Sequence, residues 1–201
     1  MIDEGFRIVG IIGAGAKGRQ IAVCALLGRY HVILADISSS RLAEAEGQIR
    51  SALAAEVARG KLVRPGKQKL AANLSITQSM SEVSRGADLL IEAAPEDAES
   101  QLEIFTIFDK FAKPAAILAS TALSVPIADL AGMTNCPERC AGLRFPDPPP
   151  VDQSLRIFRA ANTSDRTTEI CANFAREIGL EPLIIREPVT SITLPPGTQT
   201  P

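Results

Sequence analysis

Three glycines, Gly13, Gly15 and Gly18 in GAGAKG, stand between a run of β-branched residues and a segment with helical spacing. In that setting each glycine has a task. The first permits a tight turn, the second lets the backbone come close to a diphosphate, and the third lets a helix pack on a strand. N–H groups at the helix start, among Ala14, Ala16 and Lys17, then hold the diphosphate with the help of the helix dipole. Asp36 lies 18 residues after Gly18, at the end of the next apolar run. An acid there accepts hydrogen bonds from an adenosine ribose and repels a 2′-phosphate, which selects NAD over NADP. A ligand-free strand–helix turn would use the same glycines, and Asp36 favours the dinucleotide. Lys17 and Arg19 either reach phosphate oxygens or belong to a solvated first turn.

Other reactive residue types carry less. Cys24, Cys136, Cys140 and Cys171 contain no CxxC pair, and the Cys136/Cys140 spacing lacks a second pair to complete a zinc site, so reduced, partly buried thiols and no metal are expected. The single histidine, His31, opens the apolar run HVILAD and reads as structural. Lys+Arg 21 against Asp+Glu 23 gives no case for nucleic acid or an anionic membrane. No apolar run approaches the ~20 residues needed to span a bilayer. The opening MIDEGFRIVGIIGAG holds acids and glycines and does not read as a signal peptide, so a cytoplasmic chain is expected.

These residues need a frame, and 201 residues with 46% hydrophobic and 22% charged content suffice for one domain with a sizeable core. Strands are expected at 7–12, 31–36, 74–77, 88–93, 115–120, 139–145, near 155–160 at a sheet edge, and at 181–186. Helices are expected at 16–28, from Ser38–Ser40 to about Gly60, around 66–72, at 97–112 and at 165–178. The long helix turns Leu42, Ile49, Leu53 and Val57 inward. PDPPP at 146–150 is neither helix nor central strand. Such alternation predicts an α/β fold: a Rossmann-type doubly wound, mostly parallel sheet with helices on both faces. The domain spans 1–187, and 188–201 is a Pro/Thr-rich tail.

With the glycine loop, Asp36, ARGKL (58–62), DLLIEAAPE (88–96), AILAS (116–120) and CAGLRFPDP (140–148) in order, the chain resembles the NAD-binding domain of 3-hydroxyacyl-CoA dehydrogenases. The match runs over roughly residues 5–187. By that resemblance Glu92, Ala93 and Glu96 lie in a turn near the cofactor, Gln101 stands where the family has a lysine near the nicotinamide ribose, and Ser120 matches the first serine of an S-N-T-S-S-like motif. A solvated turn that complements the following helix dipole is the competing reading of Glu92 and Glu96.

The same resemblance implies a histidine base oriented by a glutamate, with a serine and an asparagine on the substrate oxygen. Here Thr121 replaces the motif's asparagine, Leu123 its substrate-contacting serine, Arg144 the histidine and Arg156 the glutamate, and residues 188–193 lack the family's later asparagine. Arginine cannot exchange a proton near neutral pH, and leucine gives no hydrogen bond to an alkoxide. Arg144 and Arg156 should lie close together, with Asp147 and Asp152 as internal partners or a small anion between them. Family members also continue into a helical domain that covers acyl-CoA and forms a dimer. The expectation is an NAD(H)-binding protein of fatty-acid-metabolism type lacking the family's catalytic residues, a pseudoenzyme. The alternative is an NAD-dependent oxidoreductase of altered chemistry, or one whose substrate domain comes from a partner chain. A small anion or acyl-CoA-like ligand and a second copy or helical-domain partner complete the expected contacts.

Overall fold

The structure, a computed structural model, describes residues 6–58, 70–122, 124–146 and 153–187, without the side chain of Val57. Eight strands form one sheet: β1 (Ile8–Ile12), β2 (His31–Ala35), β3 (Leu74–Thr77), β4 (Leu89–Glu92), β5 (Ile117–Ser120), β6 (Cys140–Arg144), β7 (Ser154–Arg159) and β8 (Glu181–Arg186). Their order is β3-β2-β1-β4-β5-β6-β7-β8. The first six are parallel, β7 runs against β6, and β8 runs with β7. The sheet is therefore mostly parallel, as the alternation implied. One expectation is corrected: β7 is an interior strand, because β8 pairs along its whole length and takes the edge.

The helices are α1 (Ala16–Leu27), α2 (Ser39–Ala58), α3 (Met80–Gly86), α4 (Ala98–Phe111), α5 (Ile127–Gly132) and α6 (Asp165–Glu177). Alternate residues of the central strands β1, β2, β4, β5 and β6 feed two cores. Val9, Ile11, Leu89, Ile91, Leu143 and Ile157 pack with α1, α2 and α6. Ile12, Leu90 and Leu118 pack with α3, α4 and α5 through Val83, Phe105, Phe108 and Leu130. On α2 the buried residues include Leu42, Ile49 and Leu53, as the spacing implied.

The sequence reading missed α3 and α5. The first has a readable signal: Ser79 accepts from the N–H of Glu82 (3.2 Å), which is the S-x-x-E pattern of a helix start. The second does not, since its N–H groups at Ile127 and Ala128 are capped by Glu187, 60 and 59 residues downstream. The expected helix at 66–72, most of ARGKL, Leu123, PDPPP with Asp147, Asp152 and the tail fall wholly or largely outside the described residues. Among the described residues no helix is long and apolar enough to cross a membrane.

Candidate functional site

The carboxyl ends of β1, β2, β4, β5 and β6 lie at one edge of the sheet, and the neighbours of β1 diverge there, toward β2 on one side and β4 on the other. In open α/β sheets the ligand crevice forms at such a point. The glycine loop follows β1 at this edge. Gly13 has φ of +112°, which an L side chain rarely adopts, and a Cβ on it would also strike the carbonyl of Ala93. A Cβ on Gly18 would lie 1.8 Å from the carbonyl oxygen of Gly13, so α1 packs on the turn only with glycine there. At Gly15 a Cβ would meet nothing within 4 Å. The loop is thus a cradle with its exposed side at Gly15 and Ala16, and a diphosphate fits the backbone it presents.

Asp36 follows β2 and is almost wholly buried. Its carboxylate accepts from the N–H of Ala14 (2.9 Å) and of Ser38 (2.9 Å). It therefore holds the glycine loop to the end of β2, a role the spacing alone did not reveal. Each oxygen keeps lone-pair capacity for a further donor.

On the other side of the crevice, Ile12, Glu92, Ser120, Gly142 and Phe158 form one continuous cross-strand row. Glu92 is fully buried, which corrects the solvated-turn reading for this residue. Its carboxylate accepts from the Ser120 hydroxyl and from the Ala94 N–H (2.7 Å), while Ser120 Oγ accepts from Ala122 N–H (2.9 Å). Burial raises the Glu92 pKa above the usual carboxylate value; Ser120, Ala94 and Lys17 oppose the rise and Glu96 adds to it. Glu96 is exposed, as a turn acid would be. Ala93 is buried and donates its N–H elsewhere in the row's vicinity, to the carbonyl of Ile12 (2.8 Å).

Lys17 spans the crevice. Its Nζ lies 3.4 Å from Glu96 Oε1 and 3.3 Å from the carbonyl of Thr121, and Ser124 Oγ donates to Glu96 Oε2 (3.1 Å). Arg19 instead folds back on its own loop, donating to the Ala14 carbonyl (3.0 Å). Gln101 is buried in the first turn of α4, with Nε2 3.4 Å from the Pro95 carbonyl. Its Oε1 and the Oγ1 of Thr121 are buried and have no hydrogen-bond partner among the described residues. Both stand by the loops that follow β4 and β5, where a bound group would supply donors.

Arg144 and Arg156 are register partners on the antiparallel pair β6–β7, so the two expected neighbours do face each other. The Arg144 guanidinium carbon stands 4.5 Å from the centroid of the Phe158 ring. His31 begins β2 and so lies at the opposite end of the sheet, about 13 Å along the strand from the crevice. All four cysteines are free, three of them buried. Among the described residues no group of three or more His, Cys, Asp or Glu side chains is placed to hold a metal ion.

Known proteins match this arrangement. The family model described as the NAD binding domain of 3-hydroxyacyl-CoA dehydrogenase matches residues 8–188. A 3-hydroxybutyryl-CoA dehydrogenase of Bradyrhizobium diazoefficiens is 33% identical over 171 residues, 85% of this chain and 58% of that protein. The hydroxyacyl-coenzyme A dehydrogenase of Sus scrofa mitochondria is 30% identical over 185 residues, 89% of this chain and 59% of that one. The crystal structure of (S)-3-hydroxybutyryl-CoA dehydrogenase from Ralstonia eutropha superposes with a TM-score of 0.84 at 27% identity, covering 91% of this chain and 64% of that one. The chain thus spans somewhat under two thirds of the length of these relatives. It belongs to the family of the NAD-binding domain of 3-hydroxyacyl-CoA dehydrogenases, and its cofactor is NAD.

Proposed function

We propose that this chain binds NAD(H) without carrying out the dehydrogenation its relatives are named for. The loop Gly13-Ala14-Gly15-Ala16-Lys17-Gly18 holds the diphosphate, and Asp36 holds the adenosine ribose. Glu92, Ala93, Glu96, Gln101 and Ser120 border the nicotinamide half. Bound NAD would supply a hydride acceptor; the proton that leaves with the hydride needs a base from the protein. The observation that carries the reading is Arg144, stacked on Phe158 and facing Arg156 at the position where the family resemblance puts the base and its acid partner. A guanidinium stays protonated at any working pH, so it cannot take that proton. His31, at the far end of β2, cannot replace it.

One observation favours a second reading, an oxidoreductase of altered chemistry. Glu92 is a buried carboxyl with a raised pKa beside the crevice, which is the profile of a general acid or base. In that case a partner, either a separate helical domain or a second copy of the chain, would supply the rest of the substrate site. A small anion or an acyl-CoA-like molecule is the ligand class in either reading, and the cytoplasm is the proposed compartment. The first reading is tested by titrating NADH into the purified chain, followed by an assay with acetoacetyl-CoA and NADH. Saturable NADH binding with no turnover is expected. Turnover within the usual enzyme range of about 1–1000 per second would sink the first reading.

A further inference from the structure

We propose that Cys136 and Cys140 form a peroxide-reactive thiol pair that closes reversibly into a disulfide. The pair lies at the end of β6 remote from the crevice, so it stands apart from the dinucleotide reading. Cys140 opens β6 beside Leu118 of β5, and Cys136 precedes the 3-10 turn Pro137–Arg139. That turn folds the two cysteines together. The N–H of Arg139 donates to the Cys136 carbonyl (2.9 Å), and Cys140 Sγ lies 3.6 Å from the same oxygen. Thr134 ties both residues from the other side: its hydroxyl accepts from the N–H of Cys136 (3.3 Å) and stands 3.6 Å from Cys140 Sγ. The two thiols also hydrogen-bond to each other. A disulfide needs this convergence, because cysteines whose side chains point apart cannot be bridged without moving the backbone.

The surroundings make the two sulfurs unequal. Cys140 is fully buried, whereas Cys136 keeps 5% exposure in a surface loop where Met133, Asn135 and Glu138 reach solvent. A hydrogen bond from the Cys140 thiol lowers the Cys136 pKa, against its burial; the Arg139 guanidinium and Thr134 help, and Asp109 opposes. Arg139 is fixed beside the pair by the carbonyls of Lys113 and Ala116 (3.2 and 3.0 Å), while Asp109 is taken up by Asn135. The hydrogen bond with Cys136 and burial raise the Cys140 pKa. Cys136 is therefore the attacking thiolate and Cys140 the resolving thiol. Cys136 sulfur attacks hydrogen peroxide: an S–O bond forms, the O–O bond breaks, and the departing hydroxide regains the proton that Cys136 released. Cys140 sulfur then attacks the sulfenic acid: the S–S bond forms, the S–O bond breaks, and hydroxide leaves as water with the Cys140 proton. Two thiols lose two electrons, and one peroxide becomes two waters.

Trypsin cuts after Arg139, so it places the two cysteines on different peptides. The reduced full chain is treated with hydrogen peroxide at neutral pH, its remaining thiols are alkylated, and it is digested without reductant for mass spectrometry. The peptide Cys140–Arg144 should appear joined to the peptide ending at Arg139, lighter by two hydrogens than their sum, and dithiothreitol should release it. Cys24 and Cys171 lie on the helices of the opposite core, and burial raises both of their thiols. They should react about tenfold more slowly or less. Cys140→Ser keeps a hydroxyl donor beside Cys136 but removes the resolving thiol, so Cys136 should stop at a sulfenic acid that dimedone traps. Cys136→Ser should leave Cys140 unoxidised. Four results would overturn the pair: no joined peptide, a joined peptide only in urea, a link to Cys24 or Cys171 in its place, or Cys140 oxidised as fast in Cys136→Ser as in the native chain. The joined peptide is read on the native chain, so the test survives a variant that does not fold.

Discussion

At the scale of single residues, Asp36 and Glu92 show how a carboxylate's setting decides its work. Asp36 pins the Ala14 N–H, and in the proposed function it also holds the ribose. Asp36→Ala should therefore weaken NAD binding about tenfold or more, through lost charged hydrogen bonds and a loosened loop. It should also narrow the preference for NAD over NADP, since the charge that repels a 2′-phosphate is gone. Calorimetric titration of both dinucleotides would check this; an unchanged NAD/NADP ratio would refute the assigned role. Glu92 behaves differently. Its folded pKa is raised, so the stability it contributes is fully present below the ordinary value of 4.5 and is lost as pH rises through the higher folded value. Glu92→Gln removes that titration. The thermal midpoint of the native chain, relative to the variant, should fall as pH rises from below the ordinary carboxylate range to neutrality. A constant difference across that range would argue against a raised pKa. The positions of Asp36 and Glu92 were legible in the sequence, because glycine spacing and family motifs are local patterns. Their burial and partners were not, because these come from strands joined only by the fold.

At the scale of elements, the ties between strand ends decide how well the crevice is held. Asp88, just before β4, accepts from the N–H of Arg7 and Ile8 at the entry to β1, both at 2.9 Å, and from Lys113 Nζ at 2.7 Å. Burial works to raise its pKa, but Lys113 and the two N–H donors outweigh it and hold the carboxyl below its usual value of 3.8. Its contribution is accordingly present above that value and lost as pH falls through the lower folded one. Asp88→Ala should cost about 2–3 kcal/mol, the order expected for hydrogen bonds to a charged group, measured by urea unfolding at neutral pH. A loss indistinguishable from zero would mean that β1 and β4 stay joined without it. Elements with short apolar, β-branched runs were readable: Leu74–Thr77 and Glu181–Arg186 are the strands expected from their composition. Short elements held from afar were not. The helix Ile127–Gly132 depends on Glu187, and no window around residue 127 contains that information. The interior position of β7 likewise depends on β8, which arrives only after a full helix.

At the scale of the molecule, two cores share one sheet, and the crevice lies where the connections part on either side of β1. The alternation of strand and helix made this architecture legible, because a parallel pair cannot be closed without a crossover. The reversal at β7 was not legible, since an antiparallel pair leaves no distinct mark on so short a strand. The central place of β1 has a consequence for the newborn chain. One neighbour, β2, follows within about twenty residues, whereas the other side waits for β4, and Asp88, just before that strand, lies 80 positions beyond Ile8. At synthesis rates of about 5–20 residues per second, that interval lasts roughly 4 to 16 seconds. During it the segment IVGII has an apolar face and one bare row of backbone donors and acceptors, the features that recruit stray strands. Translation that pauses before Glu92 would prolong this exposure, and chaperone capture of nascent chains should end once β4 has emerged.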